Sequence, residues 1–462
     1  MNRKTYLPAL LLSAGLACLS AQAQAKVSPE EAARLGQDLT PMGAEKAGNA
    51  EGTIPAWTGK WRGAPPQVKY DGPGSRYADP YADEKPLFVI TAQNMEQYSK
   101  HLTDGQRALF KRYPDTFKMP VYPSHRDFRF SEKIEANIKA NATSAELVDG
   151  GNAVRNAFGA SPFPIPKDGY ELMWNHALQA RANSEEAIYD QAVIYSNGNQ
   201  ALQTVHYQIL APWCSPTGSL QSYDGGVMSH FMITTLKPVR SKGEIIGGNE
   251  FFDPVASPRQ SWQYLPGTRR VRRAPTVGYD SPTGAGGFRT IDEDRLFNGA
   301  PDRYDWKMLG KREIYIPYNN YKLDDPALKY SQILTPNHVN PDFMRYELHR
   351  VWVVEATLKP GARHIYGKRT LYLDEDSWSA ALADNYDSRG QLWRTNMQTT
   401  VYAYDIQVNQ ARVALFHDLI AGSYLADRMA NEQPAPKLNS ADYDANYFTA
   451  ANTVSYTHLT LP

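Results

Sequence analysis

The chain has 462 residues, 49 of them lysine or arginine and 49 aspartate or glutamate, with 42% hydrophobic residues and two cysteines. So even a charge balance excludes the strong basic excess of a nucleic-acid binder, and two cysteines exclude a disulfide scaffold. A chain this long buries enough apolar surface to be held by its core.

Residues 1–25 read as a signal peptide. Arg3 and Lys4 form the charged start, Leu7 to Leu19 the apolar stretch, and Ala21-Gln22-Ala23 or Ala23-Gln24-Ala25 the cleavage site. The apolar stretch is too short for a bilayer core of about 30 Å. Gly15 stands where a lipidated Cys18 would want a leucine, so cleavage rather than acylation is expected. Cys214 then remains alone, without an internal disulfide partner.

Residues 26–90 open with "SPEEAARLG", where Ser28 caps, Pro29 starts and Gly36 stops a short helix. They continue as a Pro-, Gly- and Tyr-rich extended run including "TIPAWTGKWRGAPP", suited to wrapping a surface. Residues 91–184 read as helical: Thr91 caps "AQNMEQYSKHL", Thr103 caps "DGQRALFKRY", and "SEKIEANIKAN" and "DGYELMWNHALQAR" follow.

Residues 185–430 are β-rich. "IYDQAVIYS" and "QALQTVHYQIL" flank an Asn-Gly turn, the signature of a hairpin. "YELHRVWVVEATL", "RHIYGKRTLYL", "SWSAALADNY" and "QLWRTNMQTTVYAY" then form an antiparallel meander punctuated by short turns. In the first of these the even positions from Tyr346 to Leu358 are largely apolar and the odd ones mixed, as in a sheet with one face against a core or ligand. Residues 431–453 are a C-terminal tail. Residues 454–462, "VSYTHLTLP", resemble translated sequencing-adaptor read-through and are expected to be non-native.

Catalytic signatures are absent from the sequence: no G-x-S-x-G, no H-E-x-x-H and no C-x-x-C, so no catalytic residue, metal or cofactor is expected. "SPTGAGGFRT" lacks the P-loop ending and reads as a flexible loop. His349 and His364 fall on adjacent expected strands as partly exposed cross-strand residues, with Glu347 the one obvious further ligand. The carboxylates of "TIDEDRLF" and "LDEDSW" read as solvated cap and turn residues.

Nine tryptophans and 29 tyrosines form either an ordinary core or an apolar ligand face. Trp262, Tyr264 and Trp352 are the candidates for that face. In "RQSWQYLPGTRRVRRAPT" strand alternation places Arg269 and Arg273 on one side and Arg270 and Arg272 on the other. They could meet anionic head groups or an acidic partner surface; the plainer expectation is a solvated strand with cross-strand ion pairs.

"SWQYLPGTRRVRRAPT" resembles a strand pair of exported proteins related to the outer-membrane lipoprotein-sorting (LolA/LolB-like) superfamily. "LGQDLTPMGAEKAGNAEGTIPAWTG", "ALFKRYPDTFKMPVYPSHR", "LVDGGNAVRNAFGASPFPIPKDG", "NGAPDRYDWKMLGKREIYIPYNNYKL" and "ELHRVWVVEATLKPGARHIYGKR" resemble family 1329 of the domain-of-unknown-function series. The resemblance implies a Gram-negative periplasmic protein of α+β class. Its large curved antiparallel sheet would be an incomplete barrel with helices packed on the concave side, preceded by a long N-terminal extension. It also implies an RND-type inner-membrane exporter and an outer-membrane β-barrel protein as partners. The expected function is therefore a carrier or chaperone for a hydrophobic or lipid-like molecule. The alternatives are a non-catalytic docking or assembly factor, which needs no open apolar face, and a hydrolase, which needs His349, His364 or an acidic pair to converge.

Overall fold

The computed structural model describes residues 27–223, 226–274, 278–440 and 443–453; the expected signal peptide and read-through tail lie outside the described residues. A single sheet of sixteen strands dominates. In chain order these are β1 (Phe88–Ile90), β2 (Met119–Val121), β3 (Ser184–Ile194), β4 (Gln200–Leu210), β5 (Val227–Lys237), β6 (Ile245–Phe251), β7 (Gln260–Leu265) and β8 (Arg270–Arg273). They continue as β9 (Tyr304–Pro317), β10 (Tyr346–Leu358), β11 (Lys368–Asp374), β12 (Ala380–Tyr386), β13 (Leu392–Ala403), β14 (Val408–Asp418), β15 (Ser423–Met429) and β16 (Lys437–Leu438).

Across the sheet the order is β1-β2-β10-β11-β12-β13-β14-β15-β3-β4-β5-β6-β7-β8, with β9 also on β10 and β16 on β3. The pairing is antiparallel apart from Tyr346 of β10 against Val121 of β2. The sheet does not close, so the expected large, open antiparallel sheet is what the chain builds. The Asn197-Gly198 turn joins β3 to β4, with Gly198 at φ 82°. The meander from β10 to β13 follows the expected order, although β11 begins only at Lys368, leaving His364 in the preceding loop.

Residues paired across an antiparallel ladder project to the same side. From Trp352 that side runs through Leu373 and, by alternate residues, through Ala383, Asn396, Phe416, Leu425 and Val193. It continues through Tyr207, Ile233, Ile246 and Gln263. Trp262 and Tyr264 alternate with Gln263 and therefore point to the opposite face.

Helices pack on both faces rather than one. α1 (Pro29–Ala32) is a single turn capped by Ser28, and α3 (Glu132–Ser144) is capped by Ser131. α2 (Asp104–Arg112) starts with a Thr103/Gln106 capping box and lies on the Trp262 face, its Gly105 N–H donating to Asp384 Oδ2 at 3.1 Å. α4 (Gly169–Ala177) lies on the Trp352 face, close enough that a Cβ on Gly169 would stand 2.5 Å from the Trp306 backbone. "AQNMEQYSKHL" is tighter than expected. Asn94 Oδ1 accepts the Thr91 N–H, and the element becomes a 3-10 helix over Met95–His101.

Candidate ligand site on one face of the sheet

The three candidate aromatics do not share a surface. Trp262 is buried on one face, its Nε1 donating to Thr453 Oγ1 at 2.9 Å and its ring over Gly247, where a Cβ would stand 2.6 Å from Nε1. Tyr264 joins Leu210, Met232, Ile245 and Phe448 in a closed cluster under residues 443–453. Trp352 sits on the other face, 6.4 Å from the Trp378 ring and 4.9 Å beneath Lys311 Nζ. Each is occupied by the chain's own side chains.

The arginines lie at the free edge. Arg269, at φ 50°, follows the turn, and Arg270, Arg272 and Arg273 are exposed on β8, while Val271 packs towards the Tyr264 cluster. The cross-strand ion pairs of the plainer expectation do not form among the described residues: Arg270, Arg272 and Arg273 face Leu265, Gln263 and Trp262.

The turn carboxylates are buried, not solvated. Asp292 is 1% and Glu293 0% exposed. Asp292 Oδ2 pairs with Arg369 Nη1 at 2.8 Å and His364 Nε2 at 3.2 Å, and Glu293 Oε1 accepts from Tyr366 and Asn396. Burial alone would raise Asp292, yet Arg369 and His364 hold it at about 2. At the end of β11, Asp376 binds Arg126 at 2.7 and 2.8 Å, while Asp374 accepts from Tyr318 and Ser377. Burial and the neighbouring Asp376 push Asp374 up to about 6.

His349 is likewise buried, against Glu347 at 3.1 Å. It groups with Asp374 and Asp376, all potential ligand atoms within 4.8 Å, rather than with His364. The two histidines thus sit in separate ion networks and do not converge on each other. These networks staple the N-terminal segment and the turn at residues 291–296 to the sheet. Arg126 also binds the carbonyls of Glu45 and Pro55.

One part of the Trp352 face is thinly covered. Tyr207 and Ile209 are buried, Phe231 and Ile233 half-buried and Ile246 is 42% exposed, forming an apolar strip across β4, β5 and β6. Gly248 makes it flat: a Cβ there would stand 2.7 Å from Phe231 Cζ, so the ring lies over the glycine. The cover is the turn Ile291–Leu296, held by Asp294 to Arg428 at 3.1 Å and supported by Arg289 to Asp427 at 3.0 Å. Arg428 in turn lies 4.8 Å over the Tyr207 ring. Between cover and sheet is a cavity of about 30 Å³, lined by Tyr189, Val205, Tyr207, Ile233, Arg289 and Arg428 among others. That is room for about one water. None of these strip residues stood out in the sequence, because their exposure is decided by the distant turn that lies over them.

Residues 89–453 match the family described as "Protein of unknown function (DUF1329)". The chain belongs to this family. An uncharacterized protein of Pseudomonas aeruginosa is 48% identical over 447 residues, 96% of this chain and 95% of that protein. Among solved structures, a DUF1329 family protein from Desulfovibrio piger shares 14% identity at a TM-score of 0.42, covering 62% of this chain and 97% of that one. A putative outer membrane lipoprotein-sorting protein domain from Vibrio parahaemolyticus shares 13% at 0.41, covering 59% and 92%. A LolA superfamily protein from Nitrosomonas europaea shares 13% at 0.36, covering 62% and 98%. No helix among the described residues is long and apolar enough to cross a membrane.

Proposed function

We propose that this DUF1329 member is a non-catalytic periplasmic carrier of a hydrophobic or lipid-like molecule, which it takes up against the strip of Tyr207, Ile209, Phe231 and Ile233. The observation that supports this is the strip itself: an apolar stretch of sheet beneath a turn whose Asp294 meets Arg428 through an ion pair, with Arg289 and Asp427 paired beside it. Each methylene laid there in place of water is worth about 0.8 kcal/mol. The exposed arginines of β8 are the contact surface for the exporter and outer-membrane partners that the sequence resemblance implies.

The rest of the sheet favours a second reading, a docking or assembly factor without cargo. Nearly all of β10 to β15 is buried under the chain's own segments. Native mass spectrometry with lipid extraction on protein from a periplasm decides between them. A stoichiometric apolar adduct, lost in Ile233→Asp, is the expected result. A clean mass that takes up no added lipid leaves the docking factor.

A further inference from the structure

The charges beside the strip do not balance. Arg428 takes Asp294 and approaches Glu185, Arg289 takes Asp427, and Arg259 takes Glu250, which also accepts from Ser229 and Asn298. Arg181 and Arg295 are left with no acid within ion-pair distance among the described residues. Arg181 stacks 5.6 Å from the Trp213 ring, and its Nε and Nη2 are buried without a hydrogen-bond partner. Glu250 acts on it electrostatically but is already paired with Arg259, and its other polar neighbours are a thiol and a phenol. Burial raises the Cys214 thiol to about 11 and raises the Tyr207 phenol, so both are neutral near pH 7. Arg181 precedes β3 where the Asn183 carbonyl accepts the Ala211 N–H, just beyond Ile209, and Arg295 follows Asp294, which lines the cavity with Tyr207 and Ile233; the two cations thus stand by the end of the apolar strip. Buried guanidinium nitrogens with unmade hydrogen bonds are costly, and a bound anion would satisfy them.

The geometry points to Arg181 and Arg295 as the anion-binding end of the site, and so to an amphiphile with one carboxylate or phosphate head whose apolar part lies along Ile209, Tyr207, Phe231 and Ile233. This rests on the carrier function proposed above and names its cargo class. A free carboxylate or phosphate would meet the same two arginines.

Calorimetric titration of the folded protein with palmitate, hexadecanol and inorganic phosphate tests it, in wild type, Arg181→Met and Arg295→Asn. Asparagine tolerates the positive φ of 51° at residue 295 and guards against a misfolded first variant. Palmitate is expected to bind wild type at least tenfold tighter than either variant, with hexadecanol weaker and indifferent to them. Arg181→Met without ligand should melt higher than wild type, because it removes an unpaired buried charge; a merely structural arginine would melt lower. Equal binding of palmitate and hexadecanol, unchanged in both variants, overturns the anion site and leaves the carrier standing. Phosphate binding that depends on Arg181, with neither lipid bound, keeps the anion site and removes the carrier. No binding of any probe removes both.

Discussion

Arg369 shows how this sheet tolerates charge in its interior. It is 0% exposed and spends its donors on Asp292 at 2.8 Å, the Leu296 carbonyl at 2.9 Å and Asn385 at 3.0 Å. Arg369→Leu should cost about 3–5 kcal/mol, read from urea denaturation midpoints, because Asp292 stays buried with only His364 and the Thr290 hydroxyl to answer it. Asp384 is the opposite case. Burial pushes it up to about 6, against hydrogen bonds from the Gly105 N–H and Thr395. A carboxyl raised above its unfolded value of 3.8 contributes stability fully below that value, and the contribution is lost as pH rises through 6. Asp384→Asn keeps an acceptor for Gly105 and cannot ionise. It should therefore gain on wild type above pH 6, by at most about 3 kcal/mol, and flatten the thermal stability profile between about pH 4 and 7. Neither residue could be ranked from sequence. Arg369 and Asp292 are 77 positions apart, and the solvated-turn expectation fails because nothing local announces the partner.

Elements were legible where their signals are local. The Asn197-Gly198 hairpin, the Thr103 capping box and the turns between β10 and β13 each rest on chemistry within a few residues. β9 was not, although it pairs along the whole of β10. A bulge between Met308 and Gly310 shifts the register, so the alternation of Trp306 and Met308 does not carry through to Ile314 and Ile316. The close seat of α2 gives a prediction with an inverted sign. Glycine to alanine inside an exposed helix normally gains about 1 kcal/mol. At Gly105 the new Cβ would stand 2.0 Å from Thr395 Oγ1 and 2.1 Å from Asp384 Oδ1. Gly105→Ala should instead destabilise by about 2 kcal/mol or more, with faster hydrogen exchange in α2 and β13.

For the whole molecule, the expectation of a large antiparallel sheet came from repeated strand and turn signals and its openness from the family resemblance, while the strand order came from neither. The contact of β15 with β3 joins the two ends of the β-rich stretch of residues 185–430 and has no local signature. The same is true of the C-terminal segment, whose Tyr443 and Tyr447 hydroxyls bond Gln208 and whose Phe448 closes the Tyr264 cluster. Ending the chain before Tyr443 should expose Trp262, Tyr264 and Met232. Hydrogen exchange should then rise in β5 to β7 while β10 to β14 stay protected.

Because β3 is paired on one side only by strands that precede residue 300 and on the other by β15 and β16, a chain emerging amino end first makes the β3–β8 group early and leaves its inner edge bare. That edge is a row of unsatisfied donors and acceptors, ready to template onto another copy until residues 423–438 arrive. The yield of folded protein is then governed by how fast the remaining chain emerges, or by a chaperone that shields the edge meanwhile, more than by the stability of the finished sheet.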